Sequence, residues 1–140
     1  MATYFEEIIK TSEANCKIFD ITDDIVEIIE KSKIHNGIVT VFSIGSTTGI
    51  TTIEYEPGLI KDIPKLMEKL IPTYQNYNHN ETWGDGNGHS HLRSALIKTS
   101  LTIPLVKSEM TLGTWQQVVF IDFDNKQRTR RIAVQVMGEN

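Results

Sequence analysis

Apolar positions recur two apart in some stretches of the chain and at helical spacing in others, a mixture that predicts strands and helices side by side. The clearest alternation is at the far end, where Ile132, Val134 and Val136 interleave with Arg131, Ala133, Gln135 and Met137. Residues 128–137 therefore read as a strand with one face in a core. Residues 4–10 and 16–21 read as two short strands joined by a turn at 11–15. Thr22 is placed to cap a helix, with Asp23 and Asp24 in its first turn, Ile25, Ile28 and Ile29 on one face, and Asn36-Gly37 as its stop. Ile-Val-Thr-Val-Phe-Ser-Ile at 38–44 is strongly β-prone, and strand character resumes at 50–55. With Gly45-Ser46-Thr47-Thr48-Gly49 between them, the two runs read as a hairpin with a polar tip.

Further along, Pro57-Gly58 breaks the strand, and a second helix is predicted over about 60–71 with Leu66, Met67 and Leu70 on one face. Pro64 within it suits a helix start better than a helix interior. Residues 73–88 form a polar loop, long for a compact domain, in which Tyr74, Tyr77 and Trp83 argue for order. A short helix at 89–97 puts Leu92, Leu96 and Ile97 on one face. Strands at 101–106 and 112–122, with turns at 107–109 and 124–126, complete the chain. About seven strands and two or three helices with short connections predict a single antiparallel α+β domain.

Composition narrows the function classes. The chain has 140 residues, a formal charge of −4 and a pI near 5.5, which excludes a generically basic nucleic-acid surface. A single cysteine, Cys16, excludes an internal disulfide framework and fits a small buried hydrophobe in a reducing compartment. The first residues have no basic and then apolar character of a signal peptide, and no apolar run approaches the ~20 residues of a membrane span. The expectation is a cytoplasmic domain without nucleic-acid or membrane partners.

Chemistry concentrates in Trp83-Gly84-Asp85-Gly86-Asn87-Gly88-His89-Ser90-His91-Leu92-Arg93. Three of the four histidines (His79, His89, His91) fall within thirteen residues. They can serve as ligands of a divalent metal, Zn²⁺ or Mg²⁺, or as ordinary hydrogen-bonding groups. Local conformation decides: extended, His89 and His91 point the same way; helical, they diverge by about 200°. His35 reads as surface. The stretch Asp85-Gly86-Asn87-Gly88-His89-Ser90 can present backbone N–H groups to a phosphate at a helix start, with Arg93 one turn on, or it is simply a tight capped loop. Asp85 is either a general base, a second partner behind a metal ligand, or a turn former. Ser46 and Thr47 offer hydroxyls to an anion. Arg128 and Arg130 share the parity of Ile132, so they sit at the end of the core face, where they either line a cleft and bind phosphate or are solvated. Trp115 reads either as a packed aromatic or as the floor of a pocket, and Trp83 or Trp115 can offer a flat surface to a heterocycle.

The segments His79-Asn80, Gly88-His89-Ser90-His91-Leu92-Arg93-Ser94, Ser100-Leu101-Thr102-Ile103-Pro104 and Leu112-Gly113-Thr114-Trp115-Gln116-Gln117, with the Arg-rich last strand, resemble the YjbQ-like family, known as secondary thiamine-phosphate synthases. The resemblance implies an antiparallel β-sandwich, a homotrimer, a histidine metal site in which His91 comes first and His79 second, and a weak coupling of a hydroxymethylpyrimidine pyrophosphate to a thiazole phosphate. Catalytic roles then fall to Asp85, His91 and Arg130, and substrate contacts to Ser46, Thr47, Trp83, Asn87, Gly88, Ser90, Arg93 and Trp115. Many relatives carry a histidine where this chain has Ser46, and His89 is expected to replace it. A metal-dependent phosphate or acyl ester hydrolase and a non-catalytic trimeric metal- or anion-binding module are the alternatives.

Overall fold

The computed structural model describes residues 1–140. The elements in chain order are β1 (Ala2–Ser12), β2 (Lys17–Asp20), α1 (Thr22–Ser32), β3 (Asn36–Ser43), β4 (Thr48–Ile53), α2 (Pro57–Leu70), α3 (Asn78–Trp83), α4 (Gly88–Ile97), β5 (Ser100–Val106), β6 (Glu109–Met110), β7 (Gln117–Asp122) and β8 (Arg128–Glu139). Five strands, ordered β1-β8-β3-β5-β6, form one sheet, and β2-β7-β4 form a second. Every pairing is antiparallel. The antiparallel α+β sandwich expected of the sequence is therefore present.

Alternation explains how the layers close. In β8 the side chains of Ile132, Val134 and Val136 are fully buried and pack with Val39 and Val41 of β3, Phe120 of β7 and the buried face of α1. β7 is buried along its apolar length, because its other face, Val119 and Ile121, meets Met67, Ile60 and Ile63 of α2 and Ile97 of α4. A strand covered on both sides reads as a continuous apolar run, which is what Val118-Val119-Phe120-Ile121 is.

Several local expectations are corrected. The predicted turn at 11–15 and the predicted hairpin at 45–49 are both crossovers: β1 and β2 lie in different sheets, as do β3 and β4. At the first, Ala14, Asn15 and Cys16 all take positive φ. At the second, Ser43 and Thr48 bond through their hydroxyls, and Phe123 donates its N–H to the Thr47 carbonyl at 2.9 Å. Helix α1 stops at Lys33, in the left-handed region at φ 60, so Asn36-Gly37 opens β3 instead of ending the helix. Helix α2 begins a turn earlier than predicted, because the Glu56 side chain caps it and Pro57 suits the first turn. Its buried face is Ile60, Ile63 and Met67, while Leu66 and Leu70 face out. The long loop contains α3, and the predicted strand at 112–122 forms only from Gln117.

One close approach sets the spacing of β3 and β8. Gly37 faces Gly138, and a Cβ on Gly37 would stand 2.0 Å from the Met137 carbonyl oxygen. That neighbour is backbone and cannot rotate away. Gly37→Ala is expected to cost about 3 kcal/mol through overpacking. Urea unfolding should show it as a lower midpoint with an unchanged slope.

Candidate functional site

The site forms where α3 hands the chain to α4. Gly84 ends α3 in the left-handed region (φ 69) and Gly86 follows at φ 66, turning Asp85 back toward His79. Asn80 anchors the next helix by accepting the Gly88 N–H at 2.9 Å. A Cβ on Gly88 would stand 2.7 Å from Tyr77 Cβ, so only glycine lets α3 and α4 meet this closely. His91, one turn into α4, then lies against His79, with ring centroids 4.3 Å apart and planes tilted by 44°.

Two polar atoms in this cluster are buried with no hydrogen-bond partner, His79 Nδ1 and Asp85 Oδ1. They are 3.8 Å apart, too far for a hydrogen bond. Burial pushes the His91 imidazole below its ordinary pKa and the neighbouring His79 adds to this, while Asp124, Asp85 and a bond to the Ser46 backbone oppose it. His91 also lines a cavity of about 510 Å³ together with Ser46, Lys98, Thr99 and Ser100. Lys98 is the only side chain there with a permanent positive charge. It follows α4 at φ 81, and its carbonyl accepts from Ile50 N–H at 3.0 Å.

The other expected site residues are placed differently. Residues 88–97 are helical, so His89 and His91 diverge. His89 is buried, with Nε2 at 3.3 Å from Ser90 Oγ, Nδ1 unpartnered, and its pKa lowered by burial and by Arg93. It does not join His79 and His91, and no group of three or more His, Cys, Asp or Glu side chains is arranged to hold a metal ion. His89 therefore does not stand in for the histidine expected where Ser46 lies beside His91.

Arg93 is spent on structure. It donates to the Ile71 carbonyl from Nε at 3.0 Å and Nη2 at 2.8 Å, and to Glu68 at 3.0 Å. The helix start is largely closed to a phosphate: Gly88 N–H goes to Asn80, and those of Ser90 and His91 go to the Asn87 carbonyl. Ser90 Oγ donates to the Phe123 carbonyl, and Asn87 Nδ2 to Asp124 at 3.4 Å. Trp83 and Trp115 are 73% and 72% exposed, and neither lines the His91 cavity. Cys16 is buried, its thiol pushed up to about 11, as its reading as a core residue requires. His35 is exposed and bonds Ser108.

Arg130 is the largest correction. It lies on the core side as parity requires, but it binds the protein's own acids: Asp122 at 2.8 and 3.0 Å and Asp124 at 3.1 Å, with Thr47 Oγ1 at 2.9 Å. Thr47 in turn donates to Asp124 at 3.0 Å. Arg128 reaches Asp124 at 3.0 Å. Asp122, Asp124 and Lys98 carry no site expectation from the sequence. The signal for the acids was there: two aspartates two apart and two arginines two apart flank the same short turn.

The family described as UPF0047 protein YjbQ-like matches residues 6–139. The chain belongs to that family. A UPF0047 protein of Methanothermobacter thermautotrophicus is 38% identical over 139 residues, covering 99% of this chain and 95% of the relative. One from Archaeoglobus fulgidus is 36% identical over 132 residues, 94% of this chain and 99% of its own. Among solved structures, a YbjQ-like protein of unknown function from Sulfolobus solfataricus P2 superposes with a TM-score of 0.93 at 31% identity, over 98% of both chains. A protein from Aeropyrum pernix K1 gives 0.90 at 28% identity, over 96% of this chain and 98% of its own. In this YjbQ-like chain no helix is long and apolar enough to cross a membrane.

The buried acid at the centre of the arginine network has a pH signature. Burial alone would raise the pKa of Asp124, but the Asn125 N–H, Thr47, Asn87 and Arg128 together hold it below its ordinary 3.8. A depressed carboxylate stabilises the fold above that ordinary value and loses the contribution as pH falls through the folded-state value. Asp124→Asn is expected to cost about 3 kcal/mol at neutral pH, because Arg130 keeps a buried charge with one partner fewer. Urea titrations of both proteins should show the difference shrinking as the pH is taken below 3.8.

Proposed function

We propose that His79, His91 and Asp85, which are not preassembled as a ligand set, draw together on a divalent cation beside the Ser46–Lys98 cavity, and that the protein is an enzyme acting there on a small phosphorylated substrate. The observation that carries this reading is the pair of buried, unpartnered atoms, His79 Nδ1 and Asp85 Oδ1, facing each other at 3.8 Å next to the His91 ring. Leaving such atoms unmet costs about 1–3 kcal/mol each, and a bound cation would satisfy both. Two imidazoles and one carboxylate suit Zn²⁺ better than Mg²⁺, which prefers oxygen alone. When bound, such a cation supplies Lewis-acid stabilisation of charge on a phosphate oxygen or on a bound water.

The chain's own residues do the rest. His91, whose pKa burial lowers, has a lone pair for a ligand or a proton. Lys98 gives the cavity a fixed positive charge for an anionic substrate, and Ser46, Thr99 and Ser100 give it hydroxyls. With Arg93 and Arg130 committed elsewhere, Lys98 takes over the anion-binding role the sequence had assigned to them.

Within this class the family resemblance favours coupling of a hydroxymethylpyrimidine pyrophosphate to a thiazole phosphate. Departure of pyrophosphate leaves a cation-like pyrimidine and places charge on the leaving oxygens, where a fixed cation lowers the barrier. The proposal includes a cytoplasmic homotrimer. Trp83, Leu92 and Leu96, on the same two helices as His79 and His91, are exposed apolar area that a second copy would cover.

Elemental analysis of the purified protein after exposure to Zn²⁺ tests the centre. One metal per chain is expected in the wild type and in His89→Ala, with affinity about tenfold or more lower in His79→Ala and His91→Ala. Folded wild-type protein that takes up no metal, or equal loss in all three variants, defeats the reading. Product formation from the two phosphorylated precursors, lost in Lys98→Ala, would extend it to the coupling reaction.

A further inference from the structure

A recess of about 740 Å³ lies on the far side of the α3–α4 junction, outside the His91 cavity. Its eight lining residues include no charged side chain, although 23% of the whole chain is charged. Five are carboxamides: Asn15, Gln75, Asn76, Asn80 and Asn125. They come from four separate segments, the β1–β2 crossover, the stretch before α3, α3 itself, and the β7–β8 turn. Beside them Tyr74 is 96% exposed, a flat apolar ring left in water.

Two of the five amides, those of Asn80 and Asn125, are held at one end before any ligand arrives. Asn80 Oδ1 accepts from Gly88 N–H at 2.9 Å, which leaves its Nδ2 as a free donor. Asn125 Nδ2 donates to the Asp85 carbonyl at 2.9 Å, which leaves its Oδ1 as a free acceptor. The Asn15 N–H is tied to the Asp124 carbonyl at 2.7 Å, and Thr73 is held by Glu68 through its N–H at 2.8 Å and its hydroxyl at 2.7 Å. Anchoring one end of an amide sets which end faces outward, and this reduces the ordering cost of binding.

We propose that this recess is a binding site for a neutral polyhydroxylated ring, a sugar or cyclic polyol. The lining chemistry selects the class. Carboxamides both donate and accept, as hydroxyl groups do, and neither sign of charge is present to favour an ion. Amides arriving from four directions suit a ligand with hydrogen-bonding groups all round its rim. A nucleobase has two polar edges and two faces that want stacking, and this recess offers it one ring and an excess of amides. A sugar ring presents one C–H-rich face, which Tyr74 can cover. The inference does not rest on the metal centre, since none of its residues is His79, Asp85 or His91.

Saturation-transfer NMR of the full chain with D-glucose, D-ribose and myo-inositol tests it. Transfer to the ring protons of at least one is expected, with affinity falling about tenfold or more in Tyr74→Ala and in Asn125→Asp. Tyr74 stands in solvent, so Tyr74→Ala should keep the wild-type melting temperature, which separates lost binding from lost folding. His91→Ala should keep the polyol signal, which separates this site from the histidine centre. No transfer to any of the three overturns the proposal. So does a signal that survives both Tyr74→Ala and Asn125→Asp, or binding of cytosine or adenine where the polyols fail.

Discussion

Everything around the site depends on a buried carboxylate, Asp124. Its two oxygens take hydrogen bonds from Thr47 in the β3–β4 crossover, Asn87 at the start of α4, its own neighbour Asn125, and Arg128 and Arg130 of β8. Crossover, helix start and last strand of the large sheet are thereby tied to one point just past β7. A charge this deep is tolerated only because each lone pair is met. The same point lies close enough to His89 and His91 to oppose the loss of their protons. The network that joins the two sheets at this end therefore also sets the electrostatics in which the histidines sit.

The layered fold was legible because both periodicities it uses are strong. The alternation in β8, the unbroken apolar run in β7 and the isoleucine face of α1 each specify a burial pattern. Strand partners were not legible. Two β-prone runs joined by five polar residues look like a hairpin, but at this end of the sandwich Thr47 and Thr48 turn inward to Arg130, Ser43 and Asp124, and the chain changes sheets. Only a partner distant in sequence explains that inward turn. Arg130 illustrates the same limit: parity placed it correctly on the core side, while its acids, eight and six positions earlier, looked like ordinary turn residues.

Helix α4 reverses the usual reading of amphipathicity. Its buried side carries His89, Ser90, Arg93 and Ser94, and its exposed side carries Leu92 and Leu96. The polar face is buried because neighbouring backbone needs it. Arg93 meets the Ile71 carbonyl near the end of α2, Ser90 the carbonyl of Phe123, and Ser94 the carbonyl of Thr48. These are carbonyls without a ladder partner, and a leucine in their place would leave them unmet. A rule that turns leucines inward fails wherever a helix packs against crossovers instead of against a sheet face.

That reversal also settles what His89 can do. Successive residues on a helix are about 100° apart, so positions 89 and 91 face nearly opposite ways whatever their side chains. With position 91 turned to Ser46 and His79, position 89 is turned to the interior among Ser90 and Arg93. A histidine at position 46, which the family resemblance leads one to expect, would lie beside His91, and no histidine on α4 can substitute for it from position 89. Position 46 therefore presents a hydroxyl to the cavity that His91 lines. Of the three clustered histidines only His91 lines that cavity, while His79 stands against its ring and His89 is buried.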